Sequence, residues 1–164
     1  MSRWRPPPPK SSPYVTVEGF AALQEELRAL WERRHDVVRH LAAAAAEGDR
    51  SENAEYIYRK KELRELDRRI GYLQRRLPTL KVVTQAPADR DRVYFGATVA
   101  LEAEDGTISA YRIVGPDETD PEEGRISVDS PMARALLKRA VDEEVVMRTG
   151  ATTSRYVIVD IRYE

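Results

Sequence analysis

The chain lacks cysteine and is poor in aromatic residues. None of its 164 residues is a cysteine, and only 7% are aromatic. Disulfide bonds and thiolate metal ligands are therefore excluded, because both require cysteine sulfur. No apolar run approaches the roughly 20 residues that a helix needs to cross a bilayer, so we expect no membrane partner. The N-terminus also lacks the apolar core of a signal peptide, and a cytoplasmic protein is expected.

Local motifs of several enzyme classes are missing as well. The sequence contains no G-x-S-x-G nucleophile motif, no P-loop and no dinucleotide-binding fingerprint. Its two histidines, His35 and His40, have no acidic or metal-binding partner at a useful spacing. No segment therefore predicts a self-sufficient active site.

Charge is distributed unevenly along a chain whose formal net charge is only −1. Residues 1–90 carry 18 Lys and Arg against 13 Asp and Glu, a balance of +5. Residues 91–164 carry 9 against 15, a balance of −6. We therefore expect two modules of opposite charge with different partners.

Proline marks the borders of these modules. Four consecutive prolines at positions 6–9 predict a disordered, proline-rich tail over residues 1–13, and a ligand for an aromatic groove is the alternative. No proline occurs from residue 14 to residue 77, which predicts a helical segment because helix interiors exclude proline. We therefore expect a helical module over residues 14–82, a linker over 83–90 and a second domain over 91–164.

Within the helical module, apolar residues recur in alternating steps of three and four. The two series, each with one polar interruption, are Phe20, Leu23, Leu27, Leu30, Arg34, Val37, Leu41 and Tyr56, Arg59, Leu63, Leu66, Ile70, Leu73, Leu77. Each series forms a stripe narrow enough for one partner helix. Helix stop and start signals lie between them. The pattern predicts an antiparallel coiled-coil hairpin with an acidic tip at residues 47–54.

Beyond Arg92 the apolar period changes to two. Predicted strands cover residues 93–101, 107–114, 125–128, 144–148 and 155–162. Ser130 as N-cap and Pro131 at the first helical position predict one helix over residues 132–139. The predicted fold class is α+β: a helical hairpin followed by a small domain of antiparallel sheet plus one helix.

Two carboxylates lie at the predicted tip. Asp49 and Glu52 could share a hard divalent cation, which prefers oxygen ligands. The same spacing fits a capping box at the start of the second helix, and both interpretations stay open. Because Mg²⁺ keeps most of its waters unless other ligands complete its shell, a metal role requires ligands from a partner.

The second helix is rich in Arg and Lys. Lys60, Arg64 and Arg68 are four residues apart, so they share one face and could follow a phosphate backbone. A solvated face with intrahelical pairs such as Glu65 with Arg69 explains the pattern equally well.

Two separated segments resemble motifs of the bacterial Gre transcript-cleavage factors. Residues 48–56, GDRSENAEY, resemble the tip signature of that family, and residues 126–138, ISVDSPMARALLK, resemble its C-terminal motif. The Trp31 region and the Arg-rich second helix are more similar to the GreB branch than to GreA. The resemblance covers residues 14–163.

The resemblance implies an accessory elongation factor rather than an enzyme. The hairpin is expected to enter the secondary channel of bacterial RNA polymerase and to stimulate cleavage of the backtracked RNA 3′ segment by the polymerase. The implied cofactor is Mg²⁺ shared with the polymerase and held with the help of Asp49 and Glu52; no tightly bound cofactor of its own is expected. Since a self-paired hairpin needs no second chain, we expect a monomer.

Three further groups of residues have roles under this interpretation. The RNA-contacting basic face is expected to comprise Arg59, Lys60, Arg64 and Arg68. Support of the tip is expected from Arg50, Ser51, Asn53 and Tyr56. The loop by which an FKBP-like C-terminal domain docks at the channel rim is expected to contain Asp129, Ser130 and Pro131.

Three other functions compete with this one. A regulator of the same fold could occupy the channel without stimulating cleavage, although the retained Asp49 and Glu52 disfavour it. A prolyl isomerase would match an FKBP-like fold, but fold does not imply function, and the C-terminal half has few aromatic residues to line such a pocket. A coiled coil that binds RNA alone would leave the acidic tip unexplained.

Overall fold

The computed structural model describes residues 10–48 and 53–164. These residues form two compact units, one made of residues 10–19 with Lys81–Glu164 and the other of Phe20–Leu80. In chain order the elements are β1 (Tyr14–Thr16), α1 (Val17–Ala45), α2 (Ala54–Arg76), a 3-10 turn (Leu77–Thr79), β2 (Lys81–Val83), β3 (Thr98–Ala103), β4 (Ile108–Val114), β5 (Arg125–Ser127), α3 (Pro131–Leu136), β6 (Glu144–Thr149) and β7 (Thr152–Arg162). Two long helices precede a sheet with one short helix, and the predicted α+β class is confirmed.

The first helix begins at a cap built from two parts of the chain. The Thr16 hydroxyl accepts a hydrogen bond from the Gly19 amide at 3.0 Å, which satisfies a donor that the first helical turn cannot pair. The carboxylate of Glu118 accepts hydrogen bonds from the amides of Thr16, at 3.0 Å, and Gly115, at 2.7 Å. A Cβ on Gly19 would lie 1.8 Å from Glu118 Oε1, so any other residue at this position would displace the carboxylate.

The two long helices pack along the predicted apolar series. Leu23 and Val37 of α1 and Ile70 and Leu73 of α2 are buried. Ala44, seven residues after Val37, is also buried and extends the stripe beyond the predicted series. Burial of these side chains is the main source of stability for a helix pair.

Ion pairs across the hairpin define its direction. Near the start of α1, Glu26 contacts Arg69 at 2.6 Å; further along, Arg33 contacts Glu62 at 2.5 Å. The partners therefore run backwards along α2, as the predicted antiparallel arrangement requires. Arg34, the polar interruption of the first series, contacts Asp67 of α2 at 2.6 Å.

The second unit contains a five-stranded sheet of order β5-β4-β3-β7-β6. β3 pairs antiparallel with β4 and β7, and β6 pairs antiparallel with β7. β5 runs parallel to β4, so the expected antiparallel arrangement holds for every pair of this sheet except that one. Since a tight hairpin cannot join parallel strands, the chain crosses back through residues 115–124 before β5 begins. A short parallel pair of β1 and β2, which the sequence did not predict, belongs to the same unit.

One face of the sheet forms the core with α3. Its buried members are Val93, Ala97, Val99, Leu101, Ile113, Ala133, Leu136, Val145 and Ile158. The short α3 is capped as predicted, because Ser130 Oγ accepts a hydrogen bond from the Ala133 amide at 3.2 Å and Pro131 is its first residue. This packing fixes the loop that leads into α3.

Candidate functional site at the hairpin end and along the second helix

The acidic tip lies between two well-defined helix ends. Asp49, Arg50, Ser51 and Glu52 fall outside the described residues, so their predicted roles stay predictions. On the α1 side, the Glu47 amide donates a hydrogen bond to the Ala44 carbonyl at 3.2 Å. The next residue, Gly48, has φ +124°, a conformation that favours glycine.

Asn53 joins the two helix ends. Its side-chain oxygen accepts a hydrogen bond from the Tyr56 amide at 3.1 Å and caps α2. Its side-chain nitrogen donates to the Ala44 carbonyl of α1 at 2.7 Å. One amide side chain therefore ties the last turn of α1 to the first turn of α2. α2 starts at Ala54 with Asn53 as its cap, and the predicted capping box of Asp49 and Glu52 lies outside the described residues.

Tyr56 stands beside this junction. Its side chain is half-buried, and the Lys60 ammonium lies 5.9 Å from the centroid of its ring. That distance is within the range of a cation–π contact. Lys60 itself is exposed, on the same side of α2 as Arg64 and Arg68.

Arg59 differs from the other predicted RNA contacts because it faces inward. Only 18% of its side chain is exposed, and it forms ion pairs with Glu55 at 2.7 Å and Glu62 at 3.1 Å. The hydrogen bond from Arg59 to Glu55 raises the pKa of its guanidinium, with a smaller contribution from Glu62. Both carboxylates form ion pairs with Arg59. It therefore lies on the side of α2 that packs against α1 rather than on the side that faces solvent.

The solvent-facing side of α2, here called its outer face, carries a row of exposed cations. Arg64 and Arg68 lie there as predicted, and Lys61 and Arg75 share that face although they were not among the predicted RNA contacts. Within residues 10–48 and 53–164, none of these four forms an ion pair. The sequence contained a signal for them, since all four recur in steps of three, four and seven.

The predicted docking loop is compact and internally bonded. The Asp129 carboxylate accepts a hydrogen bond from the Ser12 amide at 2.8 Å, and the Asp129 amide donates to Ser127 Oγ at 3.0 Å. Ser130 and Pro131 begin α3. The three predicted residues are thus neighbours in one loop, and Ser12, counted with the predicted tail, contacts it.

No metal site emerges from the described part of the chain by itself. In those residues, no group of three or more His, Cys, Asp or Glu side chains is arranged to hold a metal ion. The donor chemistry of Asp49 and Glu52 suits Mg²⁺, but two carboxylates leave most of an octahedral shell to other ligands. Across the same residues, no helix is both long enough and apolar enough to cross a membrane.

Comparison with known proteins gives matches over both units. Residues 13–82 match the family model described as "Transcription elongation factor, N-terminal". Residues 87–163 match the one described as "Transcription elongation factor, GreA/GreB, C-term".

Two curated relatives are similar along almost their whole length. "Transcription elongation factor GreB" of Xanthomonas axonopodis pv. citri is 58% identical over 99% of this chain and 98% of the relative. The protein of the same name from Pseudomonas aeruginosa is 54% identical over 99% of this chain and 98% of the relative. Among solved structures, the Gfh1 protein of Thermus thermophilus, a GreA factor homolog, covers 91% of this chain and 97% of its own, at 22% identity and a TM-score of 0.43.

Proposed function

Because the chain belongs to the GreA/GreB family of transcription elongation factors, we propose that it stimulates cleavage of backtracked RNA by completing the active centre of RNA polymerase. The two family matches, over residues 13–82 and 87–163, carry this proposal. In it, the chain is an accessory factor, and the hydrolysis is performed by the polymerase. The hairpin enters the secondary channel, and the protein acts as a monomer in the cytoplasm.

The acidic residues at the tip provide the chemical contribution. Asp49 and Glu52 offer carboxylate oxygens, the ligands that Mg²⁺ prefers, and are too few to hold the ion tightly without a partner. When bound between polymerase and tip, Mg²⁺ supplies the means to activate a water molecule near the RNA phosphate. The two carboxylates would help to hold that ion and to orient the water.

Asn53 would limit the movement of the tip relative to the ends of both helices. It caps α2 and at the same time donates to the Ala44 carbonyl of α1. A loop fastened at both ends loses less conformational entropy when it binds than a free one does. Charged groups that are positioned before the reaction starts contribute strongly to stabilising its transition state.

The outer face of α2 would bind the extruded RNA segment. Its exposed cations can neutralise phosphates without regard to base sequence. Lys60, Arg64 and Arg68 remain the proposed contacts, with Lys61 and Arg75 added because they share that face. Arg59, held by two carboxylates, would act on the RNA only indirectly.

The C-terminal unit would dock at the rim of the channel. Its net charge of −6 over residues 91–164 suits a basic partner surface and would speed association. Asp129, Ser130 and Pro131 would form the contact loop, which α3 and Ser12 hold in place.

The test is RNA cleavage by stalled, backtracked polymerase with this protein added. We expect the parent chain to stimulate cleavage strongly. Asp49→Asn and Glu52→Gln should each lose about 100-fold of the stimulation, the scale seen when one preorganised electrostatic group is removed. Binding to the polymerase should persist in both variants.

The matched control is Glu47→Gln, which removes an exposed carboxylate beside the same loop. We expect it to cleave like the parent. If Asp49→Asn and Glu52→Gln also cleave like the parent, the tip chemistry is wrong. If the parent binds the polymerase and slows it without releasing RNA fragments, the chain is instead a non-cleaving regulator of the same channel.

A further inference from the structure

The outer face of α2 combines two aromatic rings with four cations. Six exposed residues follow one another at spacings of three or four, so each is a surface neighbour of the next along the helix. We call this series the α2 stripe; its members are Tyr58, Lys61, Arg64, Arg68, Tyr72 and Arg75. Cations alone would suit any polyanion, whereas the rings need a further explanation.

Tyr58 is the most exposed ring of the stripe. Its relative exposure is 59%, against 37% for Tyr72. The Arg59 guanidinium lies 5.5 Å from the centroid of the Tyr58 ring, and Arg59 is itself fixed by Glu55 and Glu62. One side of the ring is therefore held by a fixed cation, while much of the ring remains open to solvent. An exposed ring that is already oriented loses little entropy when a ligand stacks on it.

The neighbouring tyrosine lacks this openness. Tyr56 is half-buried near the hairpin end, with the Lys60 ammonium 5.9 Å from its ring. Two tyrosines only two residues apart in sequence therefore differ in what they can bind, because that spacing places them on different sides of the helix. Of the two, Tyr58 is the one that presents a broad exposed face next to cations that form no ion pair among the described residues.

The chemistry of the stripe favours single-stranded RNA over a protein helix. A partner helix would need an apolar stripe, and here the positions that follow Tyr58 are Lys61, Arg64 and Arg68. Single-stranded nucleic acid instead combines phosphates for the cations with base faces for the rings. Double-stranded RNA would keep its bases stacked on one another and leave the rings unused.

We propose that Tyr58 stacks on a base of the extruded RNA segment while the cations of the α2 stripe bind the flanking phosphates. The proposal rests on the function proposed above and adds a specific contact to it. Tyr58 is then a binding residue for RNA, and the strength of the contact depends on whether a base is present rather than on phosphate charge alone.

The experiment pairs changes in the protein with changes in the RNA. Backtracked complexes are prepared with normal RNA and with an abasic nucleotide placed in turn at each position of the extruded segment. Tyr58→Ala should lower stimulated cleavage of normal RNA about fivefold at limiting protein, the lower end of base-stacking energies. Tyr58→Phe keeps the ring and should match the parent.

The adjacent Ile57 provides a control for loss of exposed apolar surface. Its exposure, 54%, is close to that of Tyr58, so Ile57→Ala removes apolar area without removing a ring. We expect this variant to match the parent. At one RNA position the abasic nucleotide should slow the parent about fivefold and leave Tyr58→Ala no slower than before.

Each other outcome would overturn the stacking contact. Equal loss for Tyr58→Ala at every abasic position would mean that the ring does not touch a base. Weaker binding of Tyr58→Ala to polymerase that holds no extruded RNA would assign the ring to a protein surface. If the parent stimulates cleavage and Tyr58→Ala equals it, stacking alone is wrong. If the parent stimulates no cleavage of any RNA, the proposed function fails, and this inference fails with it.

Discussion

The two helices of the hairpin use their charges in different ways. α1 contains five acidic and four basic residues, and each of its four arginines forms an ion pair. α2 contains four acidic and eight basic residues. In the described part of the chain, the four cations of its stripe form no ion pair. The charges of α1 are thus neutralised within the protein, and those on the outer face of α2 stay available to a partner.

The paired charges of α1 and the unpaired charges of the α2 stripe are therefore expected to have different roles. Exposed ion pairs contribute about 0 to 1 kcal/mol each, so those of α1 matter mainly by cancelling its field. A row of unpaired like charges repels itself slightly and is useful only if an anion approaches it. Under the proposed function, this difference favours α2 as the helix that contacts RNA and α1 as its support, and three measurements test that assignment.

The largest expected effect is the loss of stimulated cleavage when two cations of the α2 stripe are removed. Arg64→Ala with Arg68→Ala should lower stimulated cleavage about tenfold and reduce the slope of log affinity against log salt by about 2, because two phosphate contacts are lost. The readout is cleavage of backtracked RNA over a series of salt concentrations. Shorter released fragments are also expected, since the RNA is held over less of its length.

The matched variant carries the same number of substitutions on α1. Arg28→Ala with Arg39→Ala removes two exposed arginines that pair with Glu25, Glu32 and Asp36. Its cleavage and salt slope should stay close to those of the parent. Equal losses in the two double variants would contradict the distinction between the helices.

A smaller effect is expected where the helices meet. Asn53→Ala removes the cap of α2 and the donor to the Ala44 carbonyl, and should lower the free energy of unfolding by about 1 kcal/mol, as typical for an N-cap. Urea denaturation measures this change. Asn53→Ser keeps an oxygen that can cap and should recover much of the loss. A Ser variant as unstable as the Ala variant would assign the stability to the bond with Ala44 instead.

The smallest effect concerns Glu62, which pairs with Arg33 of α1 and Arg59 of α2. Burial opposes its ionisation, but hydrogen bonds from Arg33 and Arg59 outweigh burial and lower its pKa from the ordinary 4.5. The group therefore stabilises the fold above pH 4.5, and this contribution is lost as pH falls through the lowered pKa.

Denaturation at a series of pH values tests this sign. Glu62→Gln should be less stable than the parent by a few tenths of a kcal/mol near neutral pH. The difference should shrink as the solution becomes more acidic than pH 4.5. Glu65→Gln, which removes an exposed carboxylate from the same helix, should show no such change. A difference that grows on acidification would reverse the assigned direction.

Much of the hairpin followed from its sequence because helix pairing depends on a local period. Leu23, Val37, Ile70 and Leu73 lie in the predicted series and are buried. The series also placed Arg59 at a seam position, although its charge suggested RNA contact. Two carboxylates within reach, Glu55 and Glu62, decide in favour of the seam.

Contacts between distant parts of the chain account for what the sequence missed. α3 was predicted to reach residue 139 but ends at Leu136, because the Lys138 amide donates to the Val93 carbonyl at 2.7 Å and Lys138 has φ 69°. Val93 itself was predicted in a strand and is instead a buried residue before β3. The parallel arrangement of β4 and β5 likewise depends on the path of the loop over residues 115–124, whose sequence shows no apolar periodicity.

The candidate site was predictable in part for the same reason. Asn53 was expected to support the tip, whereas its bond to Ala44 joins residues that no local pattern relates. Lys61 and Arg75 were missed because steps of four from Lys60 drift around the helix by about 40° each time, since four residues exceed one turn. The spacing of Lys61, Arg64, Arg68 and Arg75 was present in the sequence, and the exposure of each position identifies it as one face.

The parallel pairing of β1 with β2 has a consequence for the order of folding. Tyr14 pairs with Lys81, so the entire hairpin lies between the two partner strands in the chain. During synthesis β1 leaves the ribosome long before β2, and before the Glu118 that holds the amide of Thr16. The hairpin, whose contacts are closer in sequence, is therefore expected to form first, and its completion brings β1 and β2 together. A break in the hairpin would then delay the C-terminal unit, although none of the described residues from Phe20 to Leu80 belongs to its core.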